Sequence, residues 1–132
     1  MTGLGGGNNN SSGRLELDWS KGDPSPWTVP DGAGVLKATG YDGRAVYVKV
    51  SPNARFEFDK TNEYAPGAPG EPAGYFDIFK IIYTNTKSYL GWREQNPDAR
   101  KMRATLEWSP EVNDHAVDVD LTKPGVVRYI AR

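Results

Sequence analysis

The sequence predicts an all-β fold: a single-domain antiparallel β-sandwich, jelly roll or barrel of about eight strands. Three observations carry that expectation. Apolar residues recur at every second position in segment after segment, the period of a strand with one buried face. Turn formers separate those segments, with 15 Gly and 10 Pro in 132 residues, well above average usage. Helical spacing is nowhere sustained beyond a single turn.

Residues 1–13 (MTGLGGGNNNSSG) are a low-complexity arm with too little apolar area to offset the entropy of ordering it, so it needs a neighbour to hold it in place. From there the alternation begins. Arg14 to Trp19 sets Leu15, Leu17 and Trp19 on one face, and Pro24, Pro26, Pro30 and Asp31-Gly32 mark a long loop after it. Tyr41-Asp42-Gly43 reads as a hairpin turn. Ala45 to Val50 alternates Val46, Val48 and Val50 against Ala45, Tyr47 and Lys49. Arg55 to Asp59 opposes Phe56 and Phe58 to three charged residues. Ala65 to Gly74 spaces Pro66, Pro69 and Pro72 three apart, which suits a polyproline II edge. Tyr75 to Thr84 is apolar on both faces and reads as a central strand, with an edge that pairs across an interface as the alternative. Asn96-Pro97 can open one helical turn through Lys101. Met102 to Trp108, Ala116 to Leu121 and Val126 to Ile130 complete the strands.

Composition excludes several function classes. The chain has the length of one domain, residues 14–132 after the arm. Without cysteine there are no disulfides, thiolate metal sites or Cys nucleophiles, and with one histidine no site uses two imidazoles. A net charge of −1 argues against a generally basic nucleic-acid binder. Neither a signal peptide nor an apolar run near 18 residues is visible, so a cytoplasmic or virion location without membrane contact is expected. No cofactor is implied, because the glycines at 3 and 5–7 follow no strand and no phosphate-binding loop occurs.

Catalytic constellations are sparse. His115 lies beside Asp114 with no nucleophile elbow, and reads as a partly exposed strand-edge residue. Asp118 and Asp120, two apart on a strand, would stand roughly 6.5–7 Å apart, near the spacing of an inverting glycosidase pair. Glu57/Asp59 and Glu16/Asp18 repeat that pattern, which is also the ordinary way to solvate a strand. Asn113, Asp114, Asp118 and Asp120 offer hard oxygens for a weak Ca²⁺ site, though without the spacing of a calcium loop.

Charge is segregated along the chain. Lys80 to Arg103 holds Lys80, Lys87, Arg93, Arg100, Lys101 and Arg103 against Glu94 and Asp98, whereas Ala104 to Thr122 holds five acids and no base. The basic section has three readings. It is a single-strand platform on which bases stack on Tyr89 and Trp92 while Arg93, Arg100, Lys101 and Arg103 track phosphates. It is one solvated face of a hairpin. Or it is half of a pair of complementary patches for packing against other protein surfaces. Trp27, in a Pro-flanked loop, either plugs the end of the fold or anchors a partner. The expectation is a non-enzymatic structural protein that works by protein–protein contacts, a homo-oligomer or a lattice component such as a capsid decoration or tail subunit. A carbohydrate- or single-strand-binding module is the first alternative, and a small glycan hydrolase the second.

Overall fold

The structure, a computed structural model, describes residues 12–41, 43–70, 73–95, 102–124 and 126–130, with backbone alone for 95 and 126–130. It is an all-β sandwich. The strands are β1 (Gly13–Asp18), β2 (Trp27–Thr28), β3 (Val35–Gly40), β4 (Ala45–Lys49), β5 (Arg55–Ala65), β6 (Gly74–Tyr83), β7 (Ser88–Gln95), β8 (Arg103–Trp108), β9 (Val119–Asp120) and β10 (Val126–Ile130). They form two five-stranded sheets, in the order β1-β8-β3-β4-β9 and β10-β7-β6-β5-β2. All pairings are antiparallel except β9 on β4 and β10 on β7, both at sheet edges. Among the described residues no helix is long and apolar enough to cross a membrane.

The alternation read from the sequence is the alternation of burial. Leu17, Ala104, Leu106, Leu36, Ala38, Val46, Val48 and Val119 line the inner face of the first sheet. Phe56, Phe79, Ile81, Tyr83, Leu90 and Trp92 line that of the second. Trp19, in a 3₁₀ turn directly after β1, tilts against Phe79 at 5.7 Å between centroids, and Phe79 meets Trp92 at 4.7 Å. Each such aromatic pair contributes about 0.5–1.5 kcal/mol beyond its buried area.

β6 is central, between β5 and β7, as its doubly apolar sequence predicts. β5 runs six residues past the expected end at Asp59 because its pairing with β6 continues to Ala65 opposite Gly74. β3 and β7 were not among the expected strands; the inner face of β3 is weakly marked, holding the small Ala38 and Gly40 after Leu36. A short helix, α1 (Pro110–Asn113), was also missed, though its start signals are plain: Ser109 accepts the Val112 N–H at 3.1 Å and Pro110 begins the turn.

Three expectations need correction. The strand over Ala116 to Leu121 shrinks to Val119–Asp120 and leaves Val117 42% exposed, since the Asp118 carboxylate accepts the Tyr47 N–H at 2.9 Å and ends the ladder there. Over its described part, 65–70, the proline-rich segment is no continuous polyproline helix: Gly67 and Gly70 have φ of 87° and 84°, whereas that helix needs about −75° throughout, and Pro72 lies outside the described residues. Trp27 does belong to a strand, the two residues of β2 opposite Phe56. The helical turn at Asn96 to Lys101 and residues 1–11 of the arm lie outside the described residues, and Gly13 opens β1.

Asn113, at the end of α1, fastens the 32–35 turn. Its Oδ1 accepts the Gly34 and Val35 N–H groups at 2.9 and 3.0 Å, and its Nδ2 donates to Gly32 O at 2.8 Å. With each bond worth about 0.5–1.5 kcal/mol net, Asn113→Ala is expected to destabilise the fold by about 2 kcal/mol. The measurement is a urea midpoint that falls at unchanged slope; an unshifted midpoint would show that the turn holds without this side chain.

Candidate functional site

The residues expected to form a nucleic-acid platform are dispersed. Trp92 is fully buried on the inner face of β7, against Phe79, where no base can reach it. Tyr89 and Arg93 point the other way, onto the outer face of the second sheet, where both are half-buried. Arg103 sits exposed on β8 in the first sheet, 3.6 Å from Asp18, so the core separates it from Arg93. Arg100 and Lys101 lie outside the described residues. Trp27 is half-buried, with its ring 5.3 Å from Trp108 and 5.8 Å from Phe56, so it fills the end of the core. The linear charge segregation dissolves in the same way, because Glu107 lies in cross-strand register with both Arg14 and Lys37.

The acidic residues are likewise taken up locally. Asp118 is bonded to the Tyr47 N–H, while Asp120 accepts from the backbone and hydroxyl of Thr122. Asn113 is spent on the 32–35 turn, and Asp114 is the exposed cap of α1. The Ca²⁺ expectation therefore has no assembled ligand set: among the described residues no three His, Cys, Asp or Glu side chains gather to hold a metal. The ring of His115 lies flat on Tyr47, 3.5 Å between centroids and 5° between planes, rather than facing a nucleophile.

Sequence reasoning passed over a different pair of carboxylates. On the inner face of the second sheet, rows run across β7, β6 and β5: Ser88–Tyr83–Phe56, Leu90–Ile81–Phe58, Trp92–Phe79–Lys60 and Glu94–Asp77–Asn62. Asp77 and Glu94 are directly opposite one another and 0% and 1% exposed. Buried carboxylates persist only among donors. Here Asn62 Nδ2 donates to Asp77 Oδ1 at 2.8 Å, and the Tyr41 N–H donates to Glu94 Oε1 at 2.7 Å. Gly40 closes the first sheet over this row, and a Cβ there would overlap the Glu94 carboxylate. Both carboxylates are shut off from solvent on this inner face. The signal for Glu94 was phase, in step with Leu90 and Trp92; Asp77 is in step with Phe79 and Ile81, but β6 is apolar in both phases. One row further the facing sheet has ended, and Tyr64 and Tyr75 meet edge to face at 5.3 Å while 61% and 51% exposed.

Two open surfaces remain on the second sheet. Its outer face carries Phe76, Ile78, Ile82 and Tyr89, partly covered by Arg93, whose guanidinium lies 3.9 Å over the Phe76 ring, and by Lys80, 5.8 Å from the Tyr89 ring. Beside that strip, on β5, stand the exposed acids Glu57, Asp59 and Glu63, in register with Ile82, Lys80 and Phe76. The second surface is the outer edge of β5. β2 pairs with Arg55 and Phe56 alone, and no described strand lies against Glu57 to Ala65 on that side.

No protein-family model matches this chain, and neither a curated protein nor a solved structure matches it.

The Asp120 carboxyl is held below its ordinary value of 3.8, chiefly by the Thr122 hydroxyl, with burial opposing and the Thr122 N–H, Lys49 and Lys123 assisting. A value lower in the folded than in the unfolded chain adds stability that is complete above about pH 4 and lost as pH falls through the folded value. Thr122→Ala is thus expected to lower the unfolding midpoint at pH 7, with the gap to the parent closing as pH drops towards 3. A gap that stays constant over that range would place the effect outside this carboxylate.

Proposed function

We propose that this protein is a non-enzymatic assembly subunit that works by protein–protein contacts, and that the outer face of the second sheet packs on the same face of a second copy. The observation that carries the reading is the composition of that face. The outer face of a sandwich is usually polar, yet here Ile78 and Ile82 stand half-buried on β6 to either side of Lys80, with Phe76 buried beneath Arg93 and Tyr89 beside Ile82 on β7. Its flanks are opposite in sign, with Glu57, Asp59 and Glu63 on β5 and Arg93 on β7. A two-fold axis parallel to the strands sets the β5 flank of one copy over the β7 flank of the other, so the acids of β5 meet Arg93 on both sides of the axis, where Lys80 stands between Ile78 and Ile82. The dispersal of the platform residues weighs against the nucleic-acid alternative, and the engagement of Asp118 by the Tyr47 N–H and of Asp120 by Thr122 weighs against the hydrolase alternative.

Light scattering of the purified protein tests this. The expected mass is twice the 14.5 kDa of one chain. Ile82→Glu, a half-buried surface position, is expected to give monomer, and Arg93→Glu to weaken the dimer roughly tenfold, the equivalent of about 1.4 kcal/mol. A parent protein that is monomeric at both low and high salt would rule the face out as a self-contact.

A further inference from the structure

We infer that the outer edge of β5 is a docking site for an extended peptide from another protein, one with Lys or Arg at alternate positions, added as a further antiparallel strand. The edge is long: Glu57 to Ala65 has no described strand beside it, and the side chains of Glu57, Asp59, Thr61, Glu63 and Tyr64 are exposed.

The direction of its backbone groups follows from β5's first residue. The Arg55 N–H donates to Asn85 Oδ1 and its carbonyl accepts from the Thr84 N–H, both on the β6 side. Antiparallel pairing alternates that direction, so Phe58, Lys60, Asn62 and Tyr64 turn their N–H and C=O groups to the open edge. The Lys60 N–H fits this, since it is taken at 2.9 Å by the neighbouring Asp59 carboxylate rather than by β6. An incoming strand's carbonyl replaces that local acceptor and frees Asp59 for a cation.

Charge selects the occupant. On the outer side the edge shows Glu57, Asp59 and Glu63 at alternate positions, with no base among them. An antiparallel strand places every second side chain directly beside these three, where opposite charges attract and like charges repel. A second copy pairing β5 to β5 with outer faces on the same side would set Glu57 and Glu63 of each chain against one another, so the edge rejects its own kind. A strand with cations at alternate positions meets all three acids favourably. Face-to-face packing of two copies leaves the backbone of this edge clear but draws on the same three acids, so the Ile82→Glu variant, in which that packing is broken, separates the two contacts.

The test uses the full chain and three fluorescent nine-residue probes: an alternating Lys/Thr peptide, its Glu/Thr counterpart, and the Lys/Thr peptide N-methylated at alternate residues. Anisotropy is expected to show saturable binding of the first, none of the second, and at least about a tenfold loss for the third, whose backbone cannot complete the ladder. Amide exchange is expected to slow at residues 58–64 on binding. The triple variant Glu57→Lys, Asp59→Lys, Glu63→Lys, confined to exposed side chains, is expected to reverse the preference to the Glu/Thr peptide. Ile82→Glu is expected to retain binding whatever its oligomeric state. The proposal is overturned if the Lys/Thr peptide does not bind, if N-methylation leaves its affinity unchanged, or if the triple variant keeps the parent's preference.

Discussion

Slipping β6 by one residue against β5 and β7 would carry Lys80 into the space of Phe79 and Ile81 and turn those two rings and branches to the outside, because side chains alternate with a period of two. Ten paired residues between β5 and β6 and eight between β6 and β7 hold the native register. Everything distinctive about the molecule depends on it. It stacks Phe79 against Trp92 and beneath Trp19, joining the two sheets. It also sets Asp77 opposite Glu94, in a row with Asn62, where the apolar interior ends. The first sheet matches that end with Gly40, whose lack of a side chain admits the Glu94 carboxylate.

What could be read in advance followed from how strongly each segment contrasts its two faces. β1 and β8 alternate apolar with polar or charged residues, β4 repeats Val at every second position and β6 is apolar on both faces, and their positions were legible to within a residue or so. β3 was not, because Ala38 and Gly40 bury little area and give no pattern, although Ala38 is 0% exposed. The far half of β5 was not legible for the opposite reason: the inward positions hold Lys60 and Asn62, which are only half-buried, and Tyr64, which is exposed beyond the end of the facing sheet, so no apolar alternation marks them. At Ala116 to Asp118 the pattern was present but a side chain, Asp118, took the hydrogen bond that a continuing strand would have needed.

The candidate site was less legible than the fold, since function depends on which face a residue occupies and on which sheet. Tyr89, Trp92, Arg93 and Arg103 are neighbours in the chain's charge pattern, yet the structure spreads them over two outer faces and the core. Tyr89 and Arg93 share a face because they are four apart on one strand; Trp92 is one residue out of phase with them and is buried. Linear charge blocks say nothing about this. Period-two phase does, and it also marks Glu94 as interior, in step with Leu90 and Trp92, whereas on β6 both phases are apolar and Asp77 is not singled out.

The three acids of β5 have opposite consequences on the two open surfaces. Seen from the face of the sheet, Glu57, Asp59 and Glu63 form one flank of a strip whose other side carries Arg93, so in the proposed dimer they would meet a base of the copy turned about an axis along the strands. Seen from the edge, the same acids confront their own kind in any copy added alongside, so that approach is opposed. A chain able to associate with itself by both surfaces would have two self-complementary contacts and would propagate as a fibre, the recurrent hazard of long open edges. On the proposed reading, like charges at alternate edge positions, with Asp59 already holding the Lys60 N–H, would leave face packing as a closed contact and the edge to strands of complementary charge.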